Sequence, residues 1–151
     1  RLRRVESGEL DAPLLALAGL KRRGFAHRAS SLLDVDSFPP AVGQGAIAIT
    51  ARDGDDKGLR HVAAITDAAT GVALAAERAF LTVLDGSCRT PIAGHAIVDG
   101  AQVRFRGLVL RADGTESFEA SRTGAAADAG TLGAEAGREI LARAPSDILA
   151  H

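Results

Sequence analysis

The sequence predicts an α+β fold over residues 66–151, in which two helices cover one face of a three-stranded antiparallel sheet. Asp99-Gly100 and Asp113-Gly114 separate stretches of alternating apolar and polar residues, and Asp-Gly between such stretches is a strong β-hairpin signal. Segments with a helical spacing of apolar residues precede the first stretch and follow the last. This order predicts a helix, three strands and a second helix.

The first helix of this domain is expected over residues 69–84 and the last over residues 128–142. The apolar stripe of the first helix consists of Val72, Ala76, Ala79, Phe80 and Val83. Asp85-Gly86 is expected to end that helix as a C-cap, and Pro145 stops the last one. The three strands between the helices are expected at residues 92–98, 102–111 and 116–122.

The residues before position 66 are expected to contribute isolated pieces and not a domain of their own. The apolar run 10–18 and the apolar end of segment 41–49 are interpreted as buried parallel strands. Residues 19–24 are expected to form one helical turn after the first of these strands, where open α/β sheets bind ligands. Residues 55–65 have the spacing of an amphipathic helix. The chain does not begin with Met, so the partners of these pieces are expected upstream in a longer protein.

Composition and charge exclude several classes of protein. The net charge is −1, basic and acidic residues are interspersed, and Trp and Tyr are absent, so no nucleic-acid partner is expected. No apolar run approaches the ~18 residues that a membrane span needs, so no membrane association is expected. A single cysteine and the lack of a signal-peptide pattern favour the cytoplasm. No metal site is expected, because none of the histidines has a metal-ligand spacing to another ligand: His27, His61, His95 and His151.

One segment carries a specific resemblance: Glu77-Arg-Ala-Phe-Leu-Thr-Val-Leu-Asp-Gly-Ser-Cys88-Arg-Thr-Pro91. It resembles the cofactor-attachment signature of the porphobilinogen deaminases (hydroxymethylbilane synthases), with Ser87 where the family often has glycine. Segments 1–3, 17–22 and 40–45 also resemble the family in its order and spacing. The resemblance covers essentially the whole chain, as the C-terminal half of a family member.

The resemblance implies a three-domain architecture of which this chain holds the later part. Residues 1–39 would complete the second of two doubly wound α/β domains, and residues 40–45 would be a hinge. Residues 46–64 would return to the first domain, and residues 66–151 would form the third, cofactor-bearing α+β domain. The Phe38-Pro39-Pro40 break suits a hinge, because proline cannot continue a helix and forces extended backbone before it.

The resemblance also implies a cofactor, dipyrromethane, which Cys88 would hold through a thioether. A thiolate is a strong nucleophile toward the methylene of a deaminated pyrrole, and a thioether resists hydrolysis. The other residues implied at the cofactor are Arg1, Gly19, Arg22, Gln44 and Gly45. The two arginines would face the acetate and propionate arms of the pyrroles, since guanidinium binds carboxylates bidentately. The arginines interpreted as solvated surface residues are Arg3, Arg4, Arg23 and Arg28.

The family's reaction joins four porphobilinogen units into hydroxymethylbilane with release of ammonia, in tetrapyrrole and heme biosynthesis. The implied partners are therefore porphobilinogen and the polypyrrole intermediates, bound by a full-length protein expected to be a monomer. In the family the catalytic aspartate lies in the N-terminal domain. No catalytic residue is therefore expected in this chain, which alone should show little or no turnover.

Two other functions fit parts of the sequence. The main alternative is a non-catalytic module that binds small anions with a fold like that of solute-binding proteins, which would not need Cys88. A thiol redox protein is disfavoured, because the chain has no Cys-x-x-Cys and no second cysteine. A lone cysteine is most often a small buried apolar residue. A loop position between a helix and a strand, flanked by Arg89 and Thr90, is a poor place for a core thiol.

Overall fold

The computed structural model describes residues 1–85 and 90–149. The chain divides into two compact units, Arg1–Phe38 and Pro39–His151. Among the described residues, no helix combines the length and apolar character needed to cross a membrane.

The first unit contains two short α-helices, α1 (Leu2–Glu6) and α2 (Leu17–Arg22), and a 3-10 helix at Ala26–Arg28. Glycines that adopt positive φ follow α1 and α2, at Gly8 and Gly24. None of residues 1–38, all of which the structure describes, is fully buried. The helical turn predicted at residues 19–24 is thus present, displaced two residues toward the N-terminus.

The prediction of two parallel strands before residue 66 is wrong. Residues 10–16 have no regular structure, and residues 46–49 form no strand. A parallel strand exists only when a neighbouring strand satisfies its backbone groups. The strands in the described part of the chain are the antiparallel ones of the second unit. The pieces of doubly wound α/β domains therefore remain a prediction.

The second unit contains the predicted antiparallel sheet, in the order β1-β2-β3. Its strands are β1 (Ile92–Asp99), β2 (Gln102–Leu110) and β3 (Ser117–Ala125). Gly100 and Gly114 adopt φ of 56° and 77° in the two connections, a conformation that glycine takes without steric cost. The third strand extends three residues further than the sequence predicted.

Three α-helices accompany this sheet: α3 (Asp56–Ile65), α4 (Ala68–Leu84) and α5 (Ala129–Arg143). The Asp55 carboxylate caps α3 by accepting a hydrogen bond from the Gly58 N–H at 2.9 Å. The Asp67 carboxylate caps α4 by accepting a hydrogen bond from the Thr70 N–H at 2.7 Å. This hydrogen bond lowers the pKa of Asp67. α4 ends at Asp85, which adopts the left-handed conformation (φ 51°, ψ 36°). All three helices confirm the sequence prediction within a residue or two.

A row of small residues crosses the sheet and receives a ring from α4. Gly94 pairs with Gly107, and Gly107 pairs with Ala120 on the third strand. A Cβ on Gly107 would lie 2.4 Å from the Phe80 ring, so the ring packs directly on the backbone of β2. Phe80 is fully buried and contacts Phe105, with ring centroids 5.1 Å apart. This packing fixes α4 on the sheet.

Two glycines of α5 bring that helix close to α4. A Cβ on Gly133 would lie 1.9 Å from the Ala76 carbonyl oxygen, and one on Gly137 would lie 3.0 Å from Val83. Gly133 and Gly137 are four residues apart and therefore lie on one face of the helix. The two helices and the sheet thus share one core, as the sequence predicted for this domain.

Candidate functional site

The predicted attachment residue, Cys88, lies outside the described residues, together with Gly86, Ser87 and Arg89. The structure does define where this segment begins and ends. It follows α4, whose last residue, Leu84, is buried in the core. It leads to β1 through Thr90 and Pro91.

The start of β1 is held firmly on the sheet. The Thr90 carbonyl accepts a hydrogen bond from the Ile92 N–H at 2.8 Å, and the Pro91 carbonyl accepts one from the Leu110 N–H at 3.0 Å. Thr90 is 9% exposed. Residues 86–89 therefore connect two elements that are both anchored in the core.

A second part of the site is the 40–46 loop, which contains the predicted Gln44 and Gly45. The Gln44 N–H donates to the Ala41 carbonyl at 3.0 Å, and the Ala46 N–H donates to the Gly43 carbonyl at 3.2 Å. These bonds close two consecutive tight turns. Gly43 and Gly45 supply the positive φ that the turns need, at 71° and 88°. Gln44 lies exposed between them.

The 40–46 loop is held against the C-terminal domain by the carboxylate of Glu77. Glu77 is only 6% exposed, on the buried side of α4. Its Oε2 accepts a hydrogen bond from the Gly43 N–H at 2.7 Å, and its Oε1 accepts one from the Ala96 N–H of β1 at 3.0 Å. One side chain thus joins the loop, the helix and the sheet.

Further contacts hold the same loop on β1. The Pro40 carbonyl accepts a hydrogen bond from the Gly94 N–H at 3.0 Å. A Cβ on Gly94 would lie 3.0 Å from the Val42 side chain, which packs against the core. His95 Nδ1 lies 3.9 Å from Glu77 Oε1, too far for a hydrogen bond but near enough to interact by charge if His95 is protonated.

In the first unit, Arg1 and Gly19 line one concavity of about 500 Å³. Its other lining residues are Leu2, Arg3, Leu15, Ala16, Leu20, Arg23 and Phe25. A Cβ on Gly19 would meet no atom within 4 Å, so the backbone there is open to a ligand. The structure brings Arg1 and Gly19 together, whereas Arg22 does not line this concavity. Arg3 and Arg23, interpreted from the sequence as solvated, do line it.

The arginines of the first unit fall into two groups, those that pair with a carboxylate and those that do not. Arg4 pairs with Glu9 at 2.6 Å and Arg28 pairs with Glu6 at 2.6 Å. Within the part of the chain that the structure describes, no ion pair joins a carboxylate to the remaining arginines of the unit, Arg1, Arg3, Arg22 and Arg23. These four guanidinium groups keep their hydrogen-bond donors for a ligand or for water.

The residues present fit a dipyrromethane group in their chemistry. Its acetate and propionate arms need cations, and Arg1, which lines the concavity, has a guanidinium group without an ion-pair partner in the described chain. Arg22 is also without such a partner but does not line the concavity. The pyrrole rings need apolar walls, and Leu2, Leu20 and Phe25 supply them. Among the described side chains, His, Asp and Glu residues form no group of three that could hold a metal ion.

Glu77 belongs to the segment that resembles the family signature, but the sequence pattern predicted no role for its carboxylate. The helical spacing assigned burial to apolar residues only, such as Ala76 and Phe80. The sequence did indicate that Glu77 is buried. Glu77 follows Ala76 and precedes Phe80 by three positions, so it lies on the face that turns toward the sheet. A charged residue in that position indicates a buried partner for the carboxylate.

Two family models match the chain. The model described as "Porphobilinogen deaminase, dipyromethane cofactor binding domain" matches residues 1–60. The model described as "Porphobilinogen deaminase, C-terminal domain" matches residues 72–142. Together the two matches cover most of the chain.

Curated relatives agree with these models. A porphobilinogen deaminase of Nitrobacter hamburgensis is 58% identical over 144 residues, which are 95% of this chain and 46% of the relative. A porphobilinogen deaminase of Nitrobacter winogradskyi is 56% identical over the same number of residues and the same shares. The chain therefore spans about half the length of the curated relatives it matches.

Proposed function

Because the chain belongs to the porphobilinogen deaminase family, we propose that it is the C-terminal half of a transferase that joins four porphobilinogen units into hydroxymethylbilane. Ammonia is released as each unit is added. The dipyrromethane cofactor belongs to the family domain that matches residues 1–60. In our proposal this cofactor is linked to Cys88 through a thioether.

One observation carries the proposal: the Gly-Ser-Cys segment joins α4 to β1 inside a chain that matches both the cofactor-binding domain and the C-terminal domain. α4 is fixed to β1 through Glu77 and to β2 through Phe80.

The dipyrromethane group, when bound, would supply the pyrrole carbon to which the first of the four units is added, and each later unit would be added to the pyrrole before it. The residues of this chain hold it and orient it. Cys88 would hold the group through a single C–S bond to the methylene of its first pyrrole. The resulting C–S bond survives every cycle, because a thioether is not hydrolysed as a thioester would be.

The charged arms of the pyrroles are bound by arginine in this proposal. Arg1 and Arg22 would donate bidentate hydrogen bonds to the acetate or propionate carboxylates. Gly19 leaves its backbone open, and the 40–46 loop presents Gln44 and Gly45. None of these residues moves a proton.

The reaction itself needs a group that this chain does not supply. No carboxylate in the chain stands in a context that matches the family's catalytic aspartate, so we propose that the chain alone has little or no turnover. We also propose that the full-length protein is a monomer of the cytoplasm. The alternative of a small-anion binding module is not favoured, since both matched domains are those of a deaminase.

An assay of the full-length protein tests the function. With porphobilinogen as substrate, we expect release of ammonia and formation of a linear tetrapyrrole. Cys88→Ser should abolish the product, whereas Ser121→Ala, on the exposed side of β3, should leave the rate unchanged. A Cys88→Ser protein with full activity contradicts the proposal.

A further inference from the structure

We infer that Glu77 is a positioning residue, whose buried carboxylate sets the place of Gln44 by holding the 40–46 loop against α4 and β1. The inference rests on the proposed function in one respect, the location of Gln44 at the dipyrromethane cofactor. It concerns a side chain that does not itself touch substrate.

Two neighbouring residues of the loop have different roles: Gly43 is bonded to Glu77, and Gln44 is exposed. Gln44 is exposed and has its backbone N–H bonded within the loop, to Ala41. Gly43 is half-buried, and its N–H points to Glu77 at 2.7 Å. The residue that is held and the residue that is presented are therefore adjacent, so a shift of Gly43 moves Gln44 as well.

The chemistry of the contact requires a carboxylate. Glu77 accepts two backbone hydrogen bonds, one at each oxygen, from Gly43 and from Ala96. A glutamine has the same shape but a single acceptor oxygen, and its NH2 group would face an N–H donor. Glu77→Gln therefore breaks one of the two bonds without leaving a cavity.

The same helix serves the loop and the attachment segment. Glu77 lies seven residues before Leu84, roughly 10 Å along the axis of α4 at 1.5 Å per residue. The segment that contains Cys88 follows Leu84. Because α4 is fixed on the sheet by Phe80, a loop anchored to Glu77 keeps a constant relation to the end of α4.

A double-mutant cycle in the full-length protein tests this inference. Glu77→Gln should lower the turnover of porphobilinogen about tenfold in the background with Gln44, because misplacement of a binding group by about 1 Å can cost up to about 100-fold. In the Gln44→Ala background the same substitution should lower turnover less than about twofold. Glu139→Gln, a carboxylate on α5 that bonds Arg122 and Arg143, is the control and should have no effect in either background.

The outcomes separate the inference from the proposed function. A loss from Glu77→Gln that is equal in both backgrounds overturns the inference, since a general loss of folded protein acts alike on both. If Gln44→Ala and Cys88→Ser both leave turnover intact, the proposed function fails first.

A measurement that needs no variant covers the case in which Glu77→Gln does not fold. Hydrogen exchange of the unmodified full-length protein should show slow exchange at the Gly43 N–H, comparable with that of Ala96. Fast exchange at Gly43, beside slow exchange at Ala96, overturns the inference.

Discussion

The carboxylate of Glu77 accepts a hydrogen bond from the Gly43 N–H at 2.7 Å, across 34 residues of sequence. Its other oxygen binds the Ala96 N–H, so a single buried side chain joins a glycine turn to the core of the C-terminal domain. Neither partner is a side chain. The contact therefore depends on backbone geometry, which the two glycines of the turn make possible.

The first prediction concerns the free energy of unfolding. Glu77→Ala should destabilise the full-length protein by about 2–4 kcal/mol, because it leaves two backbone N–H groups without an acceptor, each at a cost of about 1–3 kcal/mol. Denaturation by urea measures the change. Glu139→Ala should cost much less, because its partially exposed ion pairs with Arg122 and Arg143 contribute little. Equal losses in the two variants would count against the buried contact.

The second prediction concerns the close approach of α4 and α5. Gly133→Ala should destabilise the protein by about 1–3 kcal/mol or more, because its Cβ would lie 1.9 Å from the Ala76 carbonyl oxygen. Gly130→Ala, on the same helix, is the matched control. A Cβ there would meet no atom within 4 Å, and alanine favours a helix over glycine by up to about 1 kcal/mol.

The free energies of unfolding of the two variants should therefore change in opposite directions. Gly130→Ala should raise the stability slightly, and Gly133→Ala should lower it. The close packing of the two helices would be refuted by a Gly133→Ala protein as stable as the parent.

The C-terminal domain was predictable from its sequence because its signals are local. The spacing on α4 and the Asp-Gly pairs at Asp99 and Asp113 each act over a few residues. The structure confirms both. The end of β3 was underestimated, because Thr123 and Ala125 continue the ladder through partners on β2 that the local sequence does not reveal.

The predictions that failed depend on distant partners. The apolar run 10–18 resembles a buried strand, but a parallel strand forms only beside another strand. The role of Glu77 was missed for the same reason, since its partners are the backbone of Gly43 and Ala96. Arg1 and Gly19 were identified through a family resemblance, and spacing alone would not have selected them.

The third prediction concerns pH. Arg106 donates to both oxygens of Glu119, at 2.7 Å each, and this holds the pKa of Glu119 below its ordinary value of 4.5. A lowered pKa in the folded state means that the ionised pair stabilises the protein above about pH 4.5. That contribution is lost as the pH falls through the lowered pKa.

A comparison with Glu119→Gln tests this relationship. At pH 7 the parent should be more stable than the variant, and the difference should shrink steadily as the pH falls below about 4. Glu135→Gln removes a longer ion pair, 3.7 Å from Arg122, and should show a smaller difference at pH 7. If the difference in stability between the parent and Glu119→Gln grows as the pH falls, the ion pair with Arg106 does not stabilise the protein as described.

The fourth prediction concerns the arginines of the first unit. Arg22→Gln in the full-length protein should lower kcat/KM for porphobilinogen at least about tenfold, because a charge-assisted hydrogen bond to a carboxylate is worth about 1.5–3 kcal/mol. Arg28→Gln is the control, since Arg28 is already paired with Glu6 at 2.6 Å. Steady-state kinetics of the two variants give the comparison. Equal effects would show that Arg22 has no special part in binding.

The intact mass of the full-length protein tests the central claim most directly. We expect a mass above that of the polypeptide by two condensed pyrrole units, and we expect Cys88→Ser to remove this excess. A parent protein that carries no added mass and still forms the tetrapyrrole would contradict the account, as would an excess that persists in Cys88→Ser.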